Sequence, residues 1–150
     1  KENKINFKDI TEFDLSEIIF QAQNQNEFNL KKKEIEMTIN TLGFNLAANK
    51  FSLSDTGKFG GQIGKIREDQ LSKKVLSELS KIQVGEFTAP VNLGNSFMIL
   101  KINEKKLINY EIDEKVLLKN MIDRETKEQF ENFSQIYFNK IKLNSQINEK

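Results

Sequence analysis

Side chains able to carry covalent or metal chemistry are scarce in this chain. Its 150 residues include no histidine and no cysteine, which excludes a serine–histidine–aspartate triad, a thiolate nucleophile and the usual zinc sites. The glycine-rich stretch 57–65 is not a phosphate-binding loop, because its glycine-to-lysine spacing is wrong and no Ser or Thr follows Lys65. No carboxylate spacing matches a calcium loop. We therefore expect neither a metal nor a cofactor.

The composition indicates one domain, or one domain with an appendage. Twelve phenylalanines supply a core despite the modest apolar content, and the net charge of +1 argues against a nucleic-acid partner. The run Lys31–Lys33 is interpreted as the solvated start of a helix. No apolar run is long enough to span a bilayer, and Lys1 opens into polar sequence without a secretory leader.

The first half of the chain alternates strands and helices. Its apolar patterns predict a strand at Phe13–Phe20, a helix from Leu30 to a stop at Gly43, a short helix at Phe44–Lys50, a polar loop at Ser52–Lys58 and a strand after the Gly60-Gly61 pair. These glycines allow a close backbone approach or a positive φ.

The second half begins with an amphipathic helix and ends in another. The predicted elements are a helix at Gln70–Ile82, strands at Phe87–Leu93 and Phe97–Ile102 joined by a Gly94-Asn95 turn, and a helix of about 30 residues from Ile112. Pro90 marks its strand as an edge or a bulge. An aromatic stripe on the last helix is formed by Phe130, Phe133, Tyr137 and Phe138.

Five blocks over residues 15–105 resemble the parvulin family of peptidyl-prolyl isomerases. They are LSEIIF, GFNLAANKFS, GGQIG, VGEFTAPV and NSFMILKI, in the family's order and spacing. The resemblance implies an α+β fold: a four-stranded, mainly antiparallel sheet covered by helices. The long carboxyl helix is similar to that of SurA-like periplasmic chaperones. The implied divisions are an extension at 1–12, a parvulin-like domain at 13–106 and the carboxyl helix at 107–150.

The departures from the family lie at its catalytic centre. The resemblance puts Glu17 and Met98 where parvulins favour histidine, and Ser54 at the central Cys or Asp position. Leu71 and Val75 fall where larger residues cradle the substrate proline. Asn95 lies near the position of the final-turn Ser or Thr, and Phe97 is a further expected groove residue. The sequence leaves open whether peptidyl-prolyl isomerase activity is retained with these substitutions.

Each of these positions also has a structural interpretation. Glu17 either turns to solvent or pairs with a lysine or a serine hydroxyl, because an unpaired buried carboxylate would cost several kcal/mol. Ser54 and Asp55 can cap a turn, and Leu71 and Val75 can both belong to the core. Met98 and Phe97 alternate on a strand, so one of them faces the core and the other can line a groove.

The function expected from the resemblance is a SurA-like folding factor that binds unfolded or proline-containing polypeptides, with weak or lost isomerase activity. The alternative is an active peptidyl-prolyl cis-trans isomerase. The aromatic stripe defined above is a candidate chaperone surface, a piece of core or a dimer interface, and it can also dock an amino-terminal helical domain missing from this chain. The resemblance places the protein in the periplasm or cell envelope.

Overall fold

The structure, a computed structural model, describes residues 6–113 together with 115, 116, 118, 119, 121–123 and 125. Its elements are strand β1 (Asn6–Phe20), helices α1 (Gln25–Leu42) and α2 (Phe44–Phe51), strand β2 (Gln62–Arg67), helix α3 (Lys73–Leu79), and strands β3 (Val91–Asn92) and β4 (Phe97–Ile112). Two 3₁₀ turns, Asp55–Phe59 and Glu68–Gln70, flank β2. None of the described helices is long and apolar enough to cross a membrane.

Contacts divide the chain into two units, residues 9–109 and residues 1–8 with 110–150. The first contains nearly all of the sheet and its covering helices. In the second, the described residues after Asp113 are helical, and Val116 and Ile122 are exposed. The four residues of the predicted aromatic stripe lie outside the described residues.

The four strands form one antiparallel sheet in the order β2-β1-β4-β3. The pairing of β1 with β2 and that of β3 with β4 are both antiparallel. Side-chain hydrogen bonds show that β1 and β4 are antiparallel as well. Ser16 bonds to Asn103, whereas Asp9, which comes earlier in β1, bonds to Asn109, which comes later in β4. The expected α+β fold with a four-stranded antiparallel sheet is therefore confirmed.

Opposite faces of the sheet are covered by different helices. Helices α1 and α2 pack Ile35, Ile39, Phe44 and two alanines against Ile18, Phe20 and Ile99 of the sheet. Helix α3 packs Val75 and Leu79 against Phe13, Leu15, Met98, Leu100 and Ile102. Because side chains alternate along a strand, odd-numbered residues of β1 from Phe13 to Ile19 face α3.

Capping residues set where the helices begin and end. The Asn24 side chain accepts a hydrogen bond from the Glu27 N–H at 2.9 Å, which starts α1 five residues before the predicted Leu30. Gly43, at φ +92°, ends that helix as predicted. The Ser72 side chain caps α3, so that helix begins at Lys73 and not at the predicted Gln70. It ends at Leu79, before the predicted Ile82.

Strands β1 and β4 are longer than predicted, and β3 is shorter. β1 begins at Asn6, and β4 continues to Ile112, so residues 107–112 are strand and not the start of the carboxyl helix. β3 pairs at two residues only, with a separate bridge at Phe87. Pro90, which has no N–H to donate, lies between this bridge and β3, and β3 is an edge strand of the sheet, as predicted from the proline.

Candidate functional site

Glu17 lies on the α3 face of β1 and is held by two hydroxyl groups. The Ser54 Oγ donates to the Glu17 Oε1 at 2.8 Å, and the Thr56 Oγ1 donates to the same oxygen at 2.9 Å. The carboxylate is partly buried. Of the outcomes expected for Glu17, the structure thus has the pairing with a serine hydroxyl, which removes the cost of leaving the carboxylate unpaired.

Ser54 also caps the 3₁₀ turn that carries Thr56. The Thr56 N–H donates to the Ser54 Oγ at 3.4 Å, and the two hydroxyl oxygens lie 3.0 Å apart. Each hydroxyl has one proton to donate. When the Ser54 and Thr56 hydroxyls both donate to Glu17, their oxygens can only accept further hydrogen bonds. The predicted capping role of Ser54 is confirmed, and it coexists with the contact to Glu17.

The loop from Ser52 to Gly61 is bonded along the edge of β1 beside Glu17. The Ser52 Oγ accepts from the Ile19 N–H at 3.0 Å, and the Leu53 N–H donates to the Ile19 carbonyl at 2.7 Å. The Glu17 N–H donates to the Gly61 carbonyl at 2.8 Å. These bonds satisfy strand groups that β2 no longer reaches, and they fix the two hydroxyls against the carboxylate.

Gly61 is required by this close approach. Its φ is +79°, and a Cβ built there would lie 2.2 Å from the Glu17 carbonyl oxygen. Any side chain would therefore push the loop away from β1 and separate the hydroxyls from Glu17. The close backbone approach expected at the glycine pair is what the structure has.

The second family histidine position lies in the core. Met98 is 9% exposed and Val75 is 8% exposed, and both belong to the cluster between α3 and the sheet. Leu71 is partly buried against that cluster. Both side chains expected to cradle a proline thus pack into this core cluster or against it.

Phe97, expected from the sequence to be a groove residue, packs on the face of the sheet opposite Met98. Its ring stacks on that of Phe20 with centroids 5.5 Å apart and lies tilted by 48° against that of Phe28 at 4.5 Å, on the sheet face covered by α1 and α2. Strand alternation puts it opposite Met98. Phe97 and Met98 thus pack on opposite faces of the sheet, and the expected role of Phe97 in lining a groove stays a prediction.

Asn95 lies in the exposed turn before β4, and Asp55 is exposed on the loop beside Ser54. Thr56 and Ser52 were not identified from the sequence, although both fall within the predicted polar loop. A second hydroxyl two residues after Ser54 was the available signal for Thr56. The same loop exposes two large apolar side chains, Leu53 at 64% and Phe59 at 77%.

Sequence comparison finds a similar segment in a curated chaperone. Over 55 residues the chain is 38% identical to Chaperone SurA of Pseudomonas putida, and the matched segment covers 37% of this chain and 13% of that protein. The chain thus matches only a small part of its relative's length.

Solved structures with the same fold include whole domains and parts of longer chains. A crystal structure of a PpiC-type peptidyl-prolyl cis-trans isomerase domain matches with a TM-score of 0.55 and 26% identity, covering 64% of this chain and 92% of that one. PrsA from Bacillus cereus matches at 0.59 and 19%, covering 84% and 48%. A structure from work on two SurA-like chaperones of Campylobacter jejuni matches at 0.56 and 15%, covering 96% and 56%.

The match to a family model covers most of the domain built around Glu17. Residues 12–104 match the model for the PPIC-type PPIASE domain, also called Rotamase. This range runs from within β1 into β4 and includes the loop with Ser54 and Thr56. The chain therefore belongs to the PPIC-type peptidyl-prolyl isomerase domain family, and its domain is of the parvulin type found in SurA-like chaperones.

Proposed function

We propose that this chain is a SurA-like folding factor of the bacterial envelope that binds unfolded polypeptide through its parvulin-type domain and has weak or lost isomerase activity. The observation that carries the proposal is the state of the two positions where parvulins favour histidine. Glu17 is a carboxylate held by two hydroxyls, and Met98 is buried in the core.

Isomerisation demands more of a site than peptide binding does. The peptide bond must twist through a barrier of roughly 18–20 kcal/mol, and a catalyst lowers it only by binding the twisted form better than the planar forms. That requires a dry, shaped slot for the proline ring. Val75 and Met98 are packed into the core, and a carboxylate held by two hydroxyls stands at the other position where parvulins favour histidine. These features support peptide binding without efficient turnover.

Capture of an unfolded segment requires exposed apolar side chains beside groups that can bond its backbone. Leu53 and Phe59 are such side chains, on the loop that also holds Ser54 and Thr56. Exposed apolar surface of this kind marks a partner site. We infer that extended client segments bind along this loop and are thereby kept from aggregating.

The proposal is tested by light scattering of a chemically unfolded client diluted into buffer with an equal amount of this chain. We expect the chain to suppress aggregation and Leu53→Ser to weaken the suppression several-fold. The matched control is Leu30→Ser on α1, because Leu30 is 70% exposed and Leu53 is 64% exposed. Equal loss in both variants, or no suppression by the parent chain, would contradict capture at this loop.

An active isomerase remains the alternative function, favoured by membership of the isomerase domain family. The two proposals differ in turnover, because an isomerase accelerates proline-limited refolding at amounts far below those of its substrate.

The candidate surface of Phe130, Phe133, Tyr137 and Phe138 stays a prediction. A concentration-independent monomer in light scattering would exclude its role as a dimer interface.

A further inference from the structure

The carboxylate of Glu17 uses only one of its oxygens within the described part of the protein. Both hydrogen bonds from the loop, those of Ser54 and Thr56, end on Oε1. None of the ion pairs found among residues 7–113 involves Glu17. Its Oε2 is thus open to a donor supplied by a ligand.

We propose that Glu17 makes this site select client segments that carry Lys or Arg next to apolar residues. The inference rests on the proposed peptide-binding function and names the class of segment bound. Its basis is a carboxylate fixed by the hydroxyls of one loop, together with two exposed apolar side chains, Leu53 and Phe59, on that same loop.

The selection follows from the cost of covering the carboxylate. A neutral apolar segment lying over Glu17 removes water from Oε2 and offers no donor in return, which is unfavourable for a charged group. An ammonium or guanidinium group replaces that water with a charge-assisted hydrogen bond. An acidic side chain at the same place adds repulsion, so affinity should fall in the order basic, neutral, acidic.

Neighbouring charges do not supply an equivalent site. Asp55, an acidic residue of the loop that holds Glu17, is fully exposed, and its carboxylate lies 3.9 Å from the Lys58 ammonium. Its charge is screened by solvent and offset by that lysine. Asp55 and Glu17 thus differ in setting while carrying the same charge, which makes Asp55 the natural control.

The experiment measures the affinity of three fluorescent peptides for the full chain. The peptides share an apolar, proline-containing sequence and differ only in Lys, Gln or Glu before the proline. For the parent chain we expect the Lys peptide to bind about tenfold more tightly than the Glu peptide, as one charge-assisted hydrogen bond allows. Glu17→Gln should reduce this ratio to about twofold, and Asp55→Asn should leave it unchanged.

A salt titration provides a measurement that needs no variant. Raising NaCl to about 0.5 M should lower the affinity for the Lys peptide and leave the affinity for the Gln peptide nearly unchanged, because salt screens only the ion pair with Glu17. Equal affinities for all three peptides would overturn the selection and leave the proposed function standing. Absence of binding by all three would overturn the proposed function, and the selection with it.

Discussion

Substitution of Gly61 by alanine tests how the loop is fixed against β1. The backbone at Gly61 has φ +79°, and the new Cβ would lie 2.2 Å from the Glu17 carbonyl oxygen, well inside the 3.4–4 Å of an ordinary contact. The atom it meets belongs to the backbone of a strand inside the sheet, which cannot rotate away. The loop must therefore move and weaken the bonds that hold Glu17.

The magnitude has two parts that a second glycine separates. A left-handed backbone costs a non-glycine residue about 1–2 kcal/mol, and a clash that shifts a packed backbone adds about 1–3 kcal/mol. Gly85 has a similar φ of +91°, and a Cβ added there would meet no atom within 4 Å. We therefore expect Gly61→Ala to lower the free energy of unfolding by about 2–5 kcal/mol and Gly85→Ala by about 1–2 kcal/mol, so that the clash accounts for the difference.

Urea unfolding followed by circular dichroism measures both variants against the parent chain. The expected loss in Gly61→Ala is a large part of the total stability of a typical domain. Failure of Gly61→Ala to fold, alongside a folded Gly85→Ala, would fit the same account. Equal destabilisation by the two substitutions would refute the claim that the loop packs on β1 through Gly61.

Three further predictions concern single contacts. Thr56→Val should cost about 1–2 kcal/mol in the free energy of unfolding and less in a Glu17→Gln background; additive losses in a double-mutant cycle would contradict their coupling. Phe97→Ala should lower the free energy of unfolding by about 2–4 kcal/mol without changing the peptide affinity per folded molecule. A loss of affinity would indicate that Phe97 lines the peptide groove. The bond from Lys31, with a backbone N–H bond, lowers the pKa of Glu27, so its contribution to stability is present above the ordinary pKa and is lost as pH falls through the lowered one. Glu27→Gln should therefore destabilise the chain at neutral pH and not in strong acid, as thermal unfolding at both pH values will show.

The sequence predicts the elements of this fold better than their lengths. The end of α1 at Gly43 is predictable because glycine adopts a positive φ whatever its tertiary contacts. The edge strand is predictable from Pro90 because proline lacks a backbone N–H. The extension of β4 to Ile112 was missed, since its alternation of Ile108, Tyr110 and Ile112 competes with the helical pattern that follows. A strand of this length depends on pairing with a neighbour.

The site shows the same division between local and tertiary information. Ser54 was identified as a turn cap from its own loop, and a serine hydroxyl was one of the partners expected for Glu17, because a buried carboxylate needs a donor. Thr56 was missed because its contact to Glu17 spans 39 residues. The packing of Phe97 against α1 and α2 could not be predicted, because sequence alternation defines two faces of a strand without saying which helix covers each.

The most direct test of the central claim is the slow, proline-limited refolding of a client with this chain present at about one-hundredth of the client concentration. Uncatalysed proline isomerisation takes tens of seconds at 25 °C, so turnover would be visible. We predict a slow-phase rate within about twofold of the uncatalysed one, because a bonded carboxylate and a buried methionine stand where parvulins favour histidine. Acceleration of several-fold or more at this ratio would contradict the claim that the domain has become chiefly a peptide-binding scaffold.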